Sequence, residues 1–178
     1  MYQNTMRGAC SRPKPEALTV GTSAKRRSLG EIMSTSGTLP VVAEELLKKV
    51  KQVYQELSQL TDDLLLALKF VFGPAALHAL ELVDCRSVTL IQSPSGRSLY
   101  QVEGSSGQIY YCLSFCLYCS CPAFMYSVLR RNDNIMCKHI LAVYLCQAMG
   151  VSHQLKVSDK QLTNFLLAKD KEPGASPH

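Results

Sequence analysis

From Pro40 the chain carries apolar residues at helical spacing. Leu46, Val50, Val53, Leu57, Leu60 and Leu64 follow one another at alternating intervals of four and three. That spacing lays one apolar stripe along an amphipathic helix. Proline is tolerated in the first turn, where its missing N–H would have no helical partner. The stripe either packs on the chain's own core or forms a coiled-coil-like seam for a partner. It covers fewer than three heptads, which favours the core. If it is a seam, Leu46, Val50, Val53 and Leu57 are the candidate partner surface. Thr61-Asp62-Asp63 offers a cap for a second helix over about 62–72, and Gly73-Pro74 stops it and opens a third over about 74–84.

Past residue 85 the period changes. Ser87 to Ile91 reads as a strand and Ser93-Pro94-Ser95-Gly96 as a turn. Ser98 to Glu103 reads as a second strand, Gly104-Ser105-Ser106-Gly107 as another turn, and Gln108 to Ser114 as a third strand. Short strands joined by tight turns predict a three-stranded antiparallel meander. Helical patterning returns at about 123–131, at 138–149 and, after Ser158-Asp159, at 159–169. The expected fold class is α+β. Its segments are helical over 39–85, a meander with the cysteine-rich stretch behind it over 86–150, and a C-terminal helix and tail over 151–178.

Residues 1–38 are rich in Ser, Thr, Gly, Pro, Lys and Arg and read as a disordered basic leader. Residues 1–32 hold six basic side chains against Glu16 and Glu31, whereas residues 33–178 hold 13 basic and 12 acidic ones. The net charge of +5 thus belongs mainly to the leader, and any nucleic-acid surface on the folded part must be a local patch. A mitochondrial transit peptide is the rival reading of the leader, but Pro13 and Pro15 interrupt any amphipathic helix there. Met33 is an alternative start, because the globular pattern begins just after it. The remainder has globular composition, with 47% hydrophobic and 19% charged residues over the 178-residue chain. The most apolar run, Leu64 to Val83, is broken by Lys69, Gly73-Pro74, His78 and Glu81, so no membrane span is expected.

Five of the eight cysteines fall between positions 112 and 137. Without an apolar signal segment ahead of them, a reducing compartment and metal binding are favoured over disulfides. The central pattern is Cys119-Ser120-Cys121, fifteen residues, then Cys137-Lys138-His139. In extended chain, residues i and i+2 point to the same side, so Cys119 and Cys121 can offer both sulfurs to one ion. Pro122 pushes its predecessor toward that extended geometry. Cys137 and His139 would diverge inside a helix, but converge if Cys137 precedes the helix and His139 sits in its first turn. Three thiolates and an imidazole fill the tetrahedron of one structural zinc and leave no open position for substrate.

Cys-x-Cys, a spacer and Cys-x-His resemble the signature of the SWIM zinc finger, a ββα unit. The likeness runs further, through PVVAEELL, LKFVFG, ALELVD, SVTLIQSPSGR, YQVEGSS, YCSCPAF, CKHILAVYL and VSDKQLT, over roughly 39–170. These segments resemble the SWIM subunits of Shu-type complexes. The resemblance implies zinc on Cys119, Cys121, Cys137 and His139. It also implies a non-enzymatic, nuclear protein of homologous-recombination DNA repair. Such a subunit pairs with a RecA-like paralogue ATPase, and the pair supports recombinase on single-stranded DNA.

Other chemistries remain open at the same residues. Cys116 and Cys119 form a C-x-x-C pair, a redox dithiol or an alternative metal pair, but no helix opens directly on it. Cys137 and His139 as a nucleophilic dyad lack a third, orienting group. Cys112 falls in a strand pattern and reads as core or edge, and Cys85 and Cys146 as small buried hydrophobes. No Walker-type phosphate loop is present, so any ATPase belongs to a partner. Tyr110, Tyr111, Phe115, Tyr118, Phe124 and Tyr126 interleave with Arg130, Arg131 and Lys138. Bases can stack on such aromatics while the three cations meet phosphates. A stand-alone zinc-finger DNA-binding protein is therefore the alternative reading.

Overall fold

In the computed structural model, the described residues are 39–167. The leader over 1–38, Met33 and the end of the tail lie outside them. The first helix, α1, spans Val41–Leu57. The Pro40 carbonyl accepts the Ala43 and Glu44 N–H groups at 2.9 and 3.2 Å. Ser58 ends the helix in the left-handed region (φ 54), its N–H donating to the Tyr54 carbonyl at 2.9 Å. This stop cuts the apolar stripe, because Leu60 and Leu64 lie beyond it. The buried line of α1 is Ala43, Leu47 and Val50. Leu46 and Val53 flank it half-buried, and Leu57 is 52% exposed. The buried line thus takes in the small Ala43 and Leu47, one position on from Leu46.

Helices α2 (Asp62–Phe72) and α3 (Pro74–Asp84) have the bounds the sequence predicts. Asp62 and Asp63 meet the positive end of the α2 dipole, and Lys69 lies in its last turn. Gly73, at φ 59 and ψ −143, makes a junction that a side chain would strain, and Pro74 starts α3. Leu64, Leu68 and Phe72 face inward from α2, and Ala76, Ala79, Leu82 and Val83 from α3.

The sheet has five strands in the order β4-β3-β2-β1-β5. Strands β1 (Val88–Gln92), β2 (Ser98–Glu103) and β3 (Ile109–Leu113) are the expected antiparallel meander. Two further strands extend it, so the sheet is mixed rather than a bare three-stranded meander. A 3₁₀ turn over Ser114–Cys116 and a reversal at Leu117 (φ 48) return the chain antiparallel to β3 as β4 (Tyr118–Cys119). At the other edge β5 (His153–Lys156) pairs parallel to β1. The stretch read as helix near 123–131 is a π-helix, Phe124–Arg130, with the Arg131 N–H donating to the Tyr126 carbonyl at 3.0 Å.

Helix α4 (Lys138–Met149) is the spine of the core. Every residue from His139 to Cys146 is buried, as is Ala148. A helix apolar on all sides needs neighbours on all sides. Here α1 and α3 pack against it, and so does the sheet. Polar contacts pin it to the sheet region: Gln147 Nε2 donates to Tyr100 Oη at 2.8 Å, and Tyr144 Oη to the Ser114 carbonyl at 3.1 Å. Gly150 (φ 70) turns the chain out of α4 toward β5.

The opposite sheet face is closed by α5 (Asp159–Leu167), whose Leu162 packs on Ile91 and Leu99, with Tyr111, Leu113 and Phe165 around them. A capping box starts α5: the Gln161 N–H donates to Ser158 Oγ at 3.3 Å and the Ser158 N–H to Gln161 Oε1 at 2.9 Å. Arg97 reaches Asp159 Oδ1 at 3.2 Å and ties the β1–β2 turn to this helix. No helix among the described residues is long and apolar enough to cross a membrane. Since Leu141 is fully buried in α4, Leu141→Ala is expected to destabilise the protein by ~3 kcal/mol in urea unfolding, with an unchanged m-value.

Candidate metal centre

Four side chains from three short segments meet between the edge strand and the start of α4. Cys119 ends β4. Beside it, the Ser120 N–H donates to the Tyr111 carbonyl and the Tyr111 N–H to Ser120 Oγ, each at 3.0 Å, which holds this edge on β3. Cys121 follows, its N–H 3.4 Å from Cys119 Sγ. Its own sulfur accepts the Phe124 N–H at 3.3 Å, from the first turn of the helix behind Pro122. Cys137 is the N-cap of α4, extended at φ −78 and ψ 162, and its carbonyl accepts the Leu141 N–H at 3.1 Å. His139 is the second residue of that helix. The cap geometry lets Cys137 and His139 converge.

The three sulfurs and a ring nitrogen of His139 all lie within 4.8 Å of one another. Cys119 Sγ is 3.9 Å from His139 Nδ1. The corresponding edge of a zinc tetrahedron, from Zn–S and Zn–N bond lengths, is ~3.6 Å. All four residues are buried, none more than 5% exposed. Tyr110 stacks on the His139 ring at 4.3 Å between centroids and fixes its plane. His139 Nε2 is buried with no hydrogen-bond partner. An ion held through Nδ1 would leave that nitrogen without a partner, so the fit to a metal rests on the three sulfurs and Nδ1. The donor set is thus a buried Cys3His group able to hold one metal ion, in keeping with a single structural zinc.

The thiols are electrostatically unequal. Hydrogen bonds from Cys119 and then Cys137 push Cys121 far down. Cys119 is pushed up, first by its contact with the Cys112 thiol and then by Cys121. Cys137 is pushed up by Cys119 and Cys121. Three buried sulfurs so close cannot all ionise unaided, and a divalent cation removes that conflict.

The other cysteines are not among the four that converge, although Cys112 adjoins Cys119. Cys116 is exposed in the 3₁₀ turn, its sulfur 4.0 Å from the Leu113 carbonyl. Cys112 is buried in β3 and Cys146 in α4. Burial pushes the Cys146 thiol up to about 12, so it behaves as a small hydrophobe. Cys85 is half-buried, and Cys10 lies outside the described residues.

Of the cations singled out for DNA, Arg130 ends the π-helix and lies 5.5 Å over the Tyr126 ring. Exposed Arg131 pairs with Asp133 at 3.9 Å, and Lys138 is the half-buried first residue of α4. Among the aromatics, Phe124 is buried, Tyr110, Tyr111 and Tyr118 are half-buried, and Phe115 and Tyr126 are exposed. The sequence pattern did not mark Tyr110 as the partner of His139. Only the sheet register brings it there, and no local signal announces it.

The SWIM zinc finger profile matches residues 100–148. Zinc finger SWIM domain-containing protein 7 from Danio rerio is 55% identical over 78% of this chain and 97% of its own length. The Homo sapiens protein of that name is 58% identical over 75% of this chain and 96% of its own length. The Dictyostelium discoideum homolog is 31% identical over 70% and 81%. No solved structure gives a significant match.

Native mass spectrometry of protein purified without added metal is expected to show one zinc per chain on this group. Cys121→Ser removes one of the three sulfurs and leaves three of the four candidate ligands. It should drop the zinc content well below one and lower the melting temperature, since structural zinc contributes ~10–16 kcal/mol in finger peptides and less in a domain with its own core.

Proposed function

The chain belongs to the zinc finger SWIM domain-containing protein 7 family, and from that membership we propose that it is a non-enzymatic interaction subunit of a nuclear, Shu-type complex for homologous-recombination DNA repair. It docks a RecA-like paralogue ATPase, and the pair supports recombinase on single-stranded DNA. The closed Cys3His group is the observation that carries this reading: four protein ligands leave no coordination position for water or substrate, so the metal serves shape rather than reaction. A second observation supports a partner. Phe70 is 91% and Leu66 65% exposed on one side of α2, and Leu57 is 52% exposed at the end of α1. Apolar side chains so placed add nothing to the chain's own core.

Co-purification with a RecA-like paralogue tests the reading. The chain should form a stoichiometric complex that binds single strands and raises recombinase occupancy, while the chain alone hydrolyses no ATP. Phe70→Ser should leave zinc content and melting temperature unchanged and weaken the complex at least ~10-fold, the scale of an interface anchor. Unchanged affinity would move the partner surface elsewhere.

The stand-alone DNA-binding reading draws on the exposed Tyr126–Arg130 pair. Replacing Arg130, Arg131 and Lys138 together by Ala should weaken single-strand binding and flatten its salt slope by roughly 2. Binding unchanged in affinity and slope would remove this patch as a DNA contact.

A further inference from the structure

The register of β3 and β4 sets Cys112 directly opposite Cys119. The next pair along, Tyr111 and Ser120, is a hydrogen-bonded one, since the Ser120 N–H donates to the Tyr111 carbonyl at 3.0 Å. Antiparallel ladders alternate, so Cys112 and Cys119 occupy the non-hydrogen-bonded position. There the Cα atoms stand ~4.5 Å apart and the side chains come closest. Disulfides span Cα separations of ~4.4–6.8 Å. Both residues are buried, at 1% and 2% exposure, and their thiols interact. Yet Cys112 is not one of the four residues that converge on the metal position.

We propose that Cys112 is the resolving thiol of the metal centre: a hydroperoxide oxidises Cys119, and Cys112 closes a cross-strand disulfide with it that dismantles the site. This rests on the zinc reading of the Cys3His group. In the first step the Cys119 thiolate attacks a peroxide oxygen. An S–O bond forms, the O–O bond breaks, and the other peroxide oxygen departs into solvent as hydroxide, carrying the negative charge of the thiolate. In the second, the Cys112 sulfur attacks the Cys119 sulfenic acid. The S–S bond forms, the S–O bond breaks, and the leaving hydroxide carries off the Cys112 proton as water. Two sulfurs together lose two electrons, and the peroxide gains them. Zinc, left with Cys121, Cys137 and His139, is released.

Local structure favours this pair. Strand β4 has only two residues and lies at the sheet edge, so it opens at small cost to admit the oxidant. A Cys119–Cys121 disulfide would enclose a single residue in a strained ring. Cys137 is held in the cap of α4, and Cys116 sits exposed in the turn before β4.

The test uses the full chain with its zinc. Hydrogen peroxide is added in modest excess, release is followed with a chromogenic chelator, free thiols are blocked, and disulfides are mapped by mass spectrometry. The expected result is zinc release in step with a Cys112–Cys119 crosslink, both reversed by dithiothreitol and added zinc. Cys112→Ala and Cys112→Val keep every ligand and should release zinc at least ~10-fold more slowly, because the attacking thiol is gone. A first disulfide that joins any other pair, or an unchanged release rate in a folded Cys112 variant, overturns the proposal. If neither variant folds, the disulfide map of the unmodified chain decides. Protein isolated without metal overturns the metal centre and this proposal with it, a result distinct from metal-loaded protein that oxidises elsewhere.

Discussion

Cys137 and His139 stand two residues apart, and in a helix interior they would point to nearly opposite sides. Their convergence on the Cys119–Cys121 pair requires α4 to begin between them. Cys137 therefore stays extended as the cap, and His139 enters the first turn. That constraint fixes the position of α4 along the chain, and α4 is the element on which the rest is built. Its remaining residues are apolar almost without break, so α1, α3 and the sheet must each supply a wall. The metal group thus joins the edge strand, the most weakly held part of the sheet, to the most deeply buried helix. A structural ion is useful at such a junction, because neither partner alone can hold the other.

Much of this was legible in the sequence wherever the signal was local. Gly73-Pro74 and Thr61-Asp62-Asp63 set the limits of α2 and α3, and tight turns set β2 to the residue. The ligand quartet was legible because each pair is confined to three residues with one geometric solution. The misses share a physical cause. Strand β4 is two residues long and carries no periodicity. Strand β5 is exposed throughout and exists through parallel pairing with β1, some sixty residues earlier, which no pattern within His153–Lys156 encodes. On α1, counting only large apolar residues overlooked Ala43, and the buried line shifted from Leu46, Val53 and Leu57 to Ala43 and Leu47, with Val50 common to both.

The stacking of Tyr110 on His139 shows the same limit at the site itself. A metal-bound imidazole needs its ring plane fixed as well as its backbone placed. Here the plane is set by an aromatic face from β3 rather than by a carboxylate or carbonyl. The residue that does this is adjacent only through the fold.

Four side chains around one ion would fill its coordination shell and place function on the surrounding surfaces. Those surfaces are not held equally. The face covered by α5 has its own fastening in Arg97, Asp159 and the Ser158–Gln161 capping box, far along the chain from the cysteines. Among the described residues, the side formed by α1 and α3 packs on α4. Loosening the start of α4 should therefore disturb α1–α3 before it disturbs the β1–β2 turn or α5. A partner that docks on the α1–α2 side would sense the state of the metal group through one helix, with no need to touch the cysteines.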